Sequence, residues 1–521
     1  MAWHRAAVSA ALFLFGSTLV VAAQDVMLSS PDGAVEITGD LLGFDGQFYR
    51  VDTQFGELTV DGSGVNCDGP GCPNLAGFIA ELTLSGSSTM AEVLLPSLIE
   101  GFALRNDYQT QRNDLQDGNF EYLLLRAGSV PVARFTFLIS NTDEGFADLL
   151  ANEADVVMAL REIRREERKL ARDAGLGDMT GPNRSRVLAL DAMVPVVAPG
   201  NPVSSISVPQ LAKVFAGEIS NWQELGGPDA PISLHLPVAG SGLTQAVEDR
   251  LLVPAKLPLS QDLRRHDFSS GLARAVTTDP FAIGIASYAE TGTARVLTLT
   301  GSCGFALAAG RRAIKTEDYP LGAPMFLYLP ARRLPKIARD FLNYARGPAA
   351  QVVIRRAGFV DQAPEQIPVD AQGQRLVNAI KSAGEEIDLA ELQRMAELMD
   401  EMQRLTTSFR FETGSTRPDA QSRANISQLA RAMEAGVYDA KKLVFVGFSD
   451  GEGAAAGNRK IAMKRAEAVR DAVVEAAQTA SFDRIEIAVE AFGEALPMAC
   501  DDSDWGRQVN RRVEVWLSHI D

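Results

Sequence analysis

Gly447-Phe448-Ser449-Asp450-Gly451-Glu452-Gly453 is the stretch on which the reading of this chain turns, together with Asn458, Arg465-Ala466 and, near the C-terminus, Asn510-Arg511-Arg512-Val513-Glu514-Val515. Just before it, Lys442 to Gly447 carries the apolar run Leu443-Val444-Phe445-Val446, which has strand length, and the glycine-rich segment from Gly447 to Gly457 reads as a loop. From Asn458 onward Ile461, Arg465, Val469 and Val473 recur at helical spacing, which puts Arg465 on an apolar helix face. An arginine there is either a buried structural ion-pair partner or a ligand clamp. Asp450 on the turn and Arg465 on the helix would lie at one end of the domain. Asp450 can then pair with an ammonium and Arg465 bidentately with a carboxylate, which separates an amino-acid-like group from a plain acid or amine. The alternative is that the two pair only with each other. Asn458 suits the helix N-cap. Of Arg511 and Arg512, one is expected to face the site and the other solvent.

Taken together, these residues resemble the OmpA-like peptidoglycan-binding domain over residues 405–521. The resemblance implies an α+β domain in which Asp450 and Arg465, with Ser449, Asn458 and Arg511 beside them, hold the diaminopimelate of a wall peptide. The family's His-Thr-Asp triplet reads Phe448-Ser449-Asp450 here, and its Leu-Ser reads Ile461-Ala462. Neither change touches the charged pair.

Residues 1–23 read as a secretory signal, with Arg5, an apolar stretch from Ala6 to Val21 and the small-residue site Val21-Ala22-Ala23. Export leaves a mature chain from Gln24 in which no run approaches the roughly 20 apolar residues of a membrane span. The expected place is the periplasm of a Gram-negative envelope, at the cell wall and associated with the outer membrane through binding. A formal charge of -17 argues against nucleic acid as a partner. The four cysteines allow up to two disulfides in an exported protein. Cys67 and Cys72, separated by Asp-Gly-Pro-Gly, are the local pair, whereas Cys303 and Cys500 either cross-link distant segments or stay free. The mature chain's histidines, His235, His266 and His519, are widely separated, so no metal site is expected, and no motif calls for a cofactor.

With 521 residues the chain has room for about three domains. Residues 25–75 alternate in strand fashion with turns at Asp32-Gly33, Asp45-Gly46 and Asp61-Gly62, which predicts a small all-β domain, a five-stranded barrel or meander. From 78 to 362 strands and helices alternate, an α/β pattern. Ser85-Gly86-Ser87-Ser88-Thr89 joins a strand to a helix from Met90 to Ala103, where amides and hydroxyls suit an oxyanion. There follow in order Asp155 to Arg161, Asn201-Pro202-Val203, Phe215 to Trp222, Glu224 to Gly227, Ser241-Gly242, Asp318-Tyr319-Pro320-Leu321 and Gly358-Phe359-Val360. This series resembles the phosphate-binding, PstS-like solute receptors of ABC importers. The resemblance implies a two-lobed type II periplasmic-binding-protein fold that closes on its ligand, and an ABC transporter permease as a partner. It assigns the anion to Ser87, Ser88, Thr89, Arg161, Ser241, Gly242 and Thr244. The family's serines before the arginine are Ala159 and Leu160 here, and its Arg-Asp-x-Gly-Ser-Gly-Thr element reads Pro237 to Leu243 with Thr244 displaced by one. Each lost hydrogen bond to a charged group weakens binding by roughly 1.5–3 kcal/mol.

Residues 363–404 read as a linker with an amphipathic helix whose apolar face carries Leu389, Leu392, Met395, Leu398 and Met402. No Gly-x-Ser-x-Gly elbow or histidine cluster supports an enzyme. The reading is therefore a non-enzymatic, wall-tethered receptor for phosphate or another small oxyanion. Its alternative is an envelope protein whose receptor domain has lost anion binding and serves as an interaction scaffold.

Overall fold

The computed structural model describes residues 25–520 apart from Pro182, Glu385 and Thr413. The expected signal segment, 1–23, lies outside the described residues. The chain divides after Ala80 into two compact units.

In the first unit Asp25–Ser29 (β1), Glu36–Phe44 (β2), Phe48–Thr53 (β3), Gly56–Asp61 (β4) and Asn66–Asp68 (β5) form, among the described residues, a five-stranded antiparallel sheet ordered β4-β3-β2-β1-β5. It is an open meander, not a barrel. Val26, Leu28, Tyr49 and Val51 are its buried centre, and the Cys67–Cys72 disulfide staples its end. The Asp-Gly turns fall where glycine is needed: Gly33 and Gly46 hold φ of +70° and +88°, the left-handed region that side chains resist.

The second unit opens within the strand Ala80–Ser87 (β6), which leads through a π turn at Met90–Leu94 to the helix Leu95–Arg105 (α1). The strand runs further than its sequence suggests, so that Ser87 ends β6 instead of lying in a loop. Thr142–Leu150 (α2) precedes the buried strand Val156–Ala159 (β7). Two strands then tie the lobes. Ser185–Val197 (β8) pairs through residues 185–192 with Gly322–Tyr328 (β9) and through Met193–Val197 with Ala282–Ser287. Strand β9 also pairs with β7, so one continuous sheet, eleven strands among the described residues, passes through both lobes. The sequence of β8 explains this placement: from Val187 to Val197 every residue is buried and all but Asp191 are apolar, the pattern of a strand covered on both faces.

The C-terminal sheet is ordered β10-β11-β14-β12-β13: Gln366–Pro368 (β10), Gln403–Phe409 (β11), Lys441–Phe448 (β12), Ile485–Gly493 (β13) and Arg512–His519 (β14). The helices Ala420–Glu434 (α4) and Ala455–Ala476 (α5) pack Leu429, Val469 and Val473 against Phe409 and Phe445. Residues 363–404 supply the edge strand β10 and cover the opposite face, where Met395, Met399 and Met402 bury against Val444, Phe448 and Trp516. The apolar face differs from the expected one. Leu389, at the first helical position after its Asp388 cap, is exposed, and Leu392 and Leu398 are partly buried. The observed architecture is an antiparallel β unit, a two-lobed α/β receptor fold and a C-terminal α+β sheet layer.

Candidate functional site

Strand β12 delivers Asp450 to the end of the C-terminal sheet. Gly447 is required there because a Cβ would land on the Ala462 carbonyl of α5, which crosses the strand at backbone contact. That close crossing brings the Asp450 turn and Arg465 to the same end of the sheet. The turn is fixed by three anchors: Ser449 N donates to the Gly493 carbonyl at 2.8 Å, Gly451 N donates to Asp501 Oδ2 at 2.8 Å, and Asn510 Nδ2 donates to Asp501 Oδ1 at 2.8 Å.

Asp450 does not pair with Arg465. Its Oδ2 accepts from Arg511 Nη1 at 2.6 Å, and Arg465 has no carboxylate partner within ion-pairing distance among the described residues. Arg465 is buried, 5% exposed, with its guanidinium 5.2 Å from the Phe411 ring centre, Nη2 donating only to the Ser415 carbonyl at 3.5 Å and Nε unpartnered. Burial and the neighbouring Arg511 lower its pKa, and Asp450 acts in the opposite direction. Asp450 lies with the guanidiniums of Arg511 and Arg465, and of these three groups Arg465 is the one without an ion-pair partner among the described residues, an arrangement suited to a carboxylate that arrives with an ammonium for Asp450. The Ser449 hydroxyl is buried beside this turn and unpartnered.

Three expectations at this site are corrected. Helix α5 starts at Ala455 with Ala454 as its cap, so the loop is only residues 449–454. Asn458 therefore lies one turn inside the helix and is no cap; its Nδ2 donates to Glu494. Arg512 is fully buried, not solvated. It begins β14 on the same face as Glu514, pairs with that carboxylate at 2.6 Å and stacks 4.2 Å from the Phe448 ring.

In the receptor fold, the helix Gly242–Val247 (α3) approaches β6 and β7 from the opposite lobe. A Cβ on Gly242 would lie 2.9 Å from Ser87 Oγ and 3.4 Å from Leu160 Cδ1, so this glycine permits direct contact between lobes. Gln245 Oε1 accepts from Thr142 N at 3.0 Å, supplying the acceptor at the start of α2 from the chain itself. The predicted anion residues separate into two groups. Ser87 keeps a buried, unpartnered hydroxyl, Ser88 and Ser241 line an open cleft of about 470 Å³, and Gly242 and Thr89 are buried and do not line it. Ser241 Oγ, however, accepts from Thr244 N at 3.2 Å as a helix cap, and Thr244 Oγ1 donates to the Pro237 carbonyl at 3.0 Å.

Arg161 departs from its expected role outright. Its guanidinium is shared between Asp143 and Glu167, the latter at 2.6 Å, with Asp249 3.6 Å from Nε, so its charge is already neutralised. Sequence reading missed Arg112 and Glu92, which line the cleft with Ser88 and Ser241. Arg112 pairs with Asp114 at 3.0 Å, and burial together with Glu290 pushes the Glu92 carboxyl up to about 7.

Residues 76–347, more than half of the chain, match the PBP superfamily domain, and residues 410–511 match the OmpA family. The chain belongs to the PBP superfamily. It is 27% identical over 234 residues to Protein SphX of Synechococcus elongatus, covering 43% of this chain and 67% of that protein. It is 26% identical over 191 residues to the phosphate-binding protein PstS of Bacillus subtilis, covering 36% of this chain and 61% of the relative. It thus spans about two thirds of the length of these relatives. An ABC-type phosphate transport receptor from Vibrio cholerae aligns over 54% of this chain and 99% of its own, at 18% identity and a TM-score of 0.41. Both matched families are binding modules and not enzymes.

In this PBP-superfamily chain the OmpA-family module is joined to both receptor lobes. On one lobe Glu162 Oε1 accepts from Ala420 N at 2.6 Å. On the other, Cys303 is disulfide-bonded to Cys500, Ser302 N donates to Asp502 at 2.5 Å, and Trp505 Nε1 donates to the Arg250 carbonyl at 2.9 Å. Between them Asp318 accepts from Arg404 at 2.8 Å and from Arg410 at 3.2 Å. The Asp318-Tyr319-Pro320-Leu321 motif thereby docks the two modules, a role its sequence did not disclose. Among the described residues no helix is long and apolar enough to cross a membrane.

Proposed function

We propose that this chain is a non-enzymatic periplasmic protein that grips peptidoglycan at diaminopimelate through its C-terminal domain, with the receptor domain serving as a rigid interaction scaffold. One observation carries the wall-binding reading: a buried Arg465 without a carboxylate partner, next to an Asp450 that is already balanced by Arg511. A buried cation without a counter-charge is costly. A ligand carboxylate relieves that cost, and the ligand ammonium competes with Arg511 for Asp450. The experiment is retention by purified peptidoglycan. Arg465→Ala and Asp450→Ala should each abolish it, and retention near the wild-type level in both refutes the clamp.

The scaffold reading is supported by the fate of the anion positions. Arg161 is neutralised by acids, Thr244 and Ser241 hold their own helix, and Gln245 caps α2 from across the cleft. A receptor of this fold works by lobe closure, and a module attached to both lobes opposes that motion. The phosphate or small-oxyanion reading draws on the unpartnered hydroxyl of Ser87. Calorimetry of the full exported chain against phosphate, sulfate and small carboxylates decides between them: silence supports the scaffold, and micromolar binding of any of these anions supports the receptor.

A further inference from the structure

A second cavity lies behind the crossing strands, where both lobes meet the C-terminal module. It has a volume of about 230 Å³, and of the residues expected to hold an anion it is lined only by Arg161. Its walls carry charges of both signs whose hydrogen-bonding capacity is only partly met: Arg410 pairs with Asp318 at 3.2 Å, and the carboxylates of Asp419, Glu162 and Glu317 act on Arg250. Asp191 is 3% exposed; its Oδ2 accepts from Ser287 at 2.6 Å, while Oδ1 is unpartnered. Arg410 is 4% exposed, its Nη2 donating to Asp318 and two carbonyls and its Nη1 left without a partner. Arg250 is half-buried with Nη1 unpartnered. Among the described residues the Glu317 carboxyl has one hydrogen-bond partner, Asn425 at 3.4 Å; burial and the neighbouring Asp419 push that carboxyl well above its ordinary range, and its backbone holds φ +57°, a conformation uncommon for a side chain of this kind. Asp419 and Glu162, spent partly on helix amides of α4, complete the acidic wall.

The buried atoms Asp191 Oδ1, Arg250 Nη1 and Arg410 Nη1 are left without partners, which is expensive for charged side chains. The two guanidiniums ask for a carboxylate and the acidic wall asks for an ammonium. We propose that this cavity at the module junction binds a small amino-acid zwitterion, its carboxylate on Arg250 and Arg410 and its ammonium on Asp191 and Glu317. The volume suits a molecule from the size of glycine to that of diaminopimelate. A molecule seated there touches both lobes and the C-terminal module at once, so its binding reinforces their junction. The proposal uses no part of the Asp450–Arg465 clamp.

The test is calorimetry on the full exported chain carrying Arg465→Ala, which silences the clamp. The probes are glycine, L-glutamate and meso-diaminopimelate, with propionate and ethylammonium as single-charge controls. At least one zwitterion should bind, and both controls should bind at least tenfold more weakly, since each leaves one set of buried charges unmet. Arg250→Gln should weaken the zwitterion tenfold or more. Gln508→Trp narrows the cavity from its exposed rim while leaving the buried charges intact, and should weaken binding at an unchanged melting temperature. Silence of all three zwitterions, controls that bind equally well, or binding that survives both substitutions unchanged would overturn the proposal.

Discussion

Glu514 offers the sharpest quantitative test of how the C-terminal module is held together. It is fully buried, with Arg512 at 2.6 Å, Arg404 Nε at 3.3 Å, Arg375 also in contact and the Trp516 indole donating at 3.0 Å. Burial alone would push its carboxyl up; the guanidiniums of Arg375, Arg404 and Arg512 overcome that and hold it down at about 2. A carboxyl at about 2 instead of its ordinary 4.5 is worth about 3 kcal/mol. Removing one partner of a buried ion pair independently suggests about 3–5 kcal/mol. Glu514→Gln keeps the shape and removes the charge, leaving three arginines around a neutral amide. Hydrogen exchange at the amides of β14 reads the opening of this sheet without requiring the whole chain to unfold in one step. At neutral pH those amides should exchange about a hundredfold faster in the variant, the rate equivalent of about 3 kcal/mol. Because the folded-state pKa is depressed, the wild-type contribution is complete above pH 4.5 and is lost as pH falls toward 2. The gap between variant and wild type must therefore close over that interval. A gap below about 1 kcal/mol at neutral pH, or one that does not change with pH, refutes the assignment.

Further outcomes follow from the same geometry. Gly447→Ala should destabilise the C-terminal sheet by about 2–3 kcal/mol, seen in thermal unfolding, because its methyl meets the Ala462 carbonyl and neither backbone can yield cheaply. The same variant should bind peptidoglycan more weakly, since it shifts Asp450 relative to Arg465. Cys500→Ser opens a cross-link between residues 197 apart and should cost about 2–5 kcal/mol in unfolding under oxidising conditions, a difference that vanishes when both proteins are reduced. Arg465→Lys should recover little of the peptidoglycan retention lost in Arg465→Ala, because a lysine keeps the charge and loses the two-pronged donor.

The placement of Asp450 and Arg465 at one end of the sheet was legible because its signals are local. The apolar run before Gly447, the glycines after it and the helical spacing through Arg465 each lie within a few residues of the group they position. The Cys67–Cys72 pairing is likewise five residues apart. What the sequence concealed depends on encounters between distant segments. Arg161 reads as an anion donor until Asp143, Glu167 and Asp249 are brought around it from two other parts of the receptor fold. Arg512 reads as a surface residue because arginine is rarely buried, and only the folded sheet shows that Glu514 and Phe448 receive it. The helix start at Ala455 was missed for a different reason: Ala454 has no capping side chain, so the sequence carries no N-cap signal there. Asn458, the nearest residue with such a signal, is occupied with Glu494 instead.

The attachment of the C-terminal module to both lobes bears on what the receptor fold can still do. Opening of a two-lobed receptor turns the lobes about their crossing strands, here β8 and β9. The C-terminal contacts lie on both sides of those strands: Glu162 on one lobe, Ser302, Cys303 and Arg250 on the other, and Asp318 between them. A hinge motion would have to separate the Glu162 contact or strain the Asp318 pairs, while the Cys303–Cys500 bond cannot part at all. Asp318 is nearly fully buried with two arginines, and exposing such a cluster even partly costs several kcal/mol. Ligand binding could drive the motion only by an equal differential affinity for the two states. The docking of the C-terminal module and its resistance to lobe motion are thus consequences of one junction. If Cys500→Ser combined with Asp318→Asn raised phosphate binding above that of the unmodified chain, the junction would be acting as a restraint on the receptor fold; unchanged binding would show that the junction imposes none.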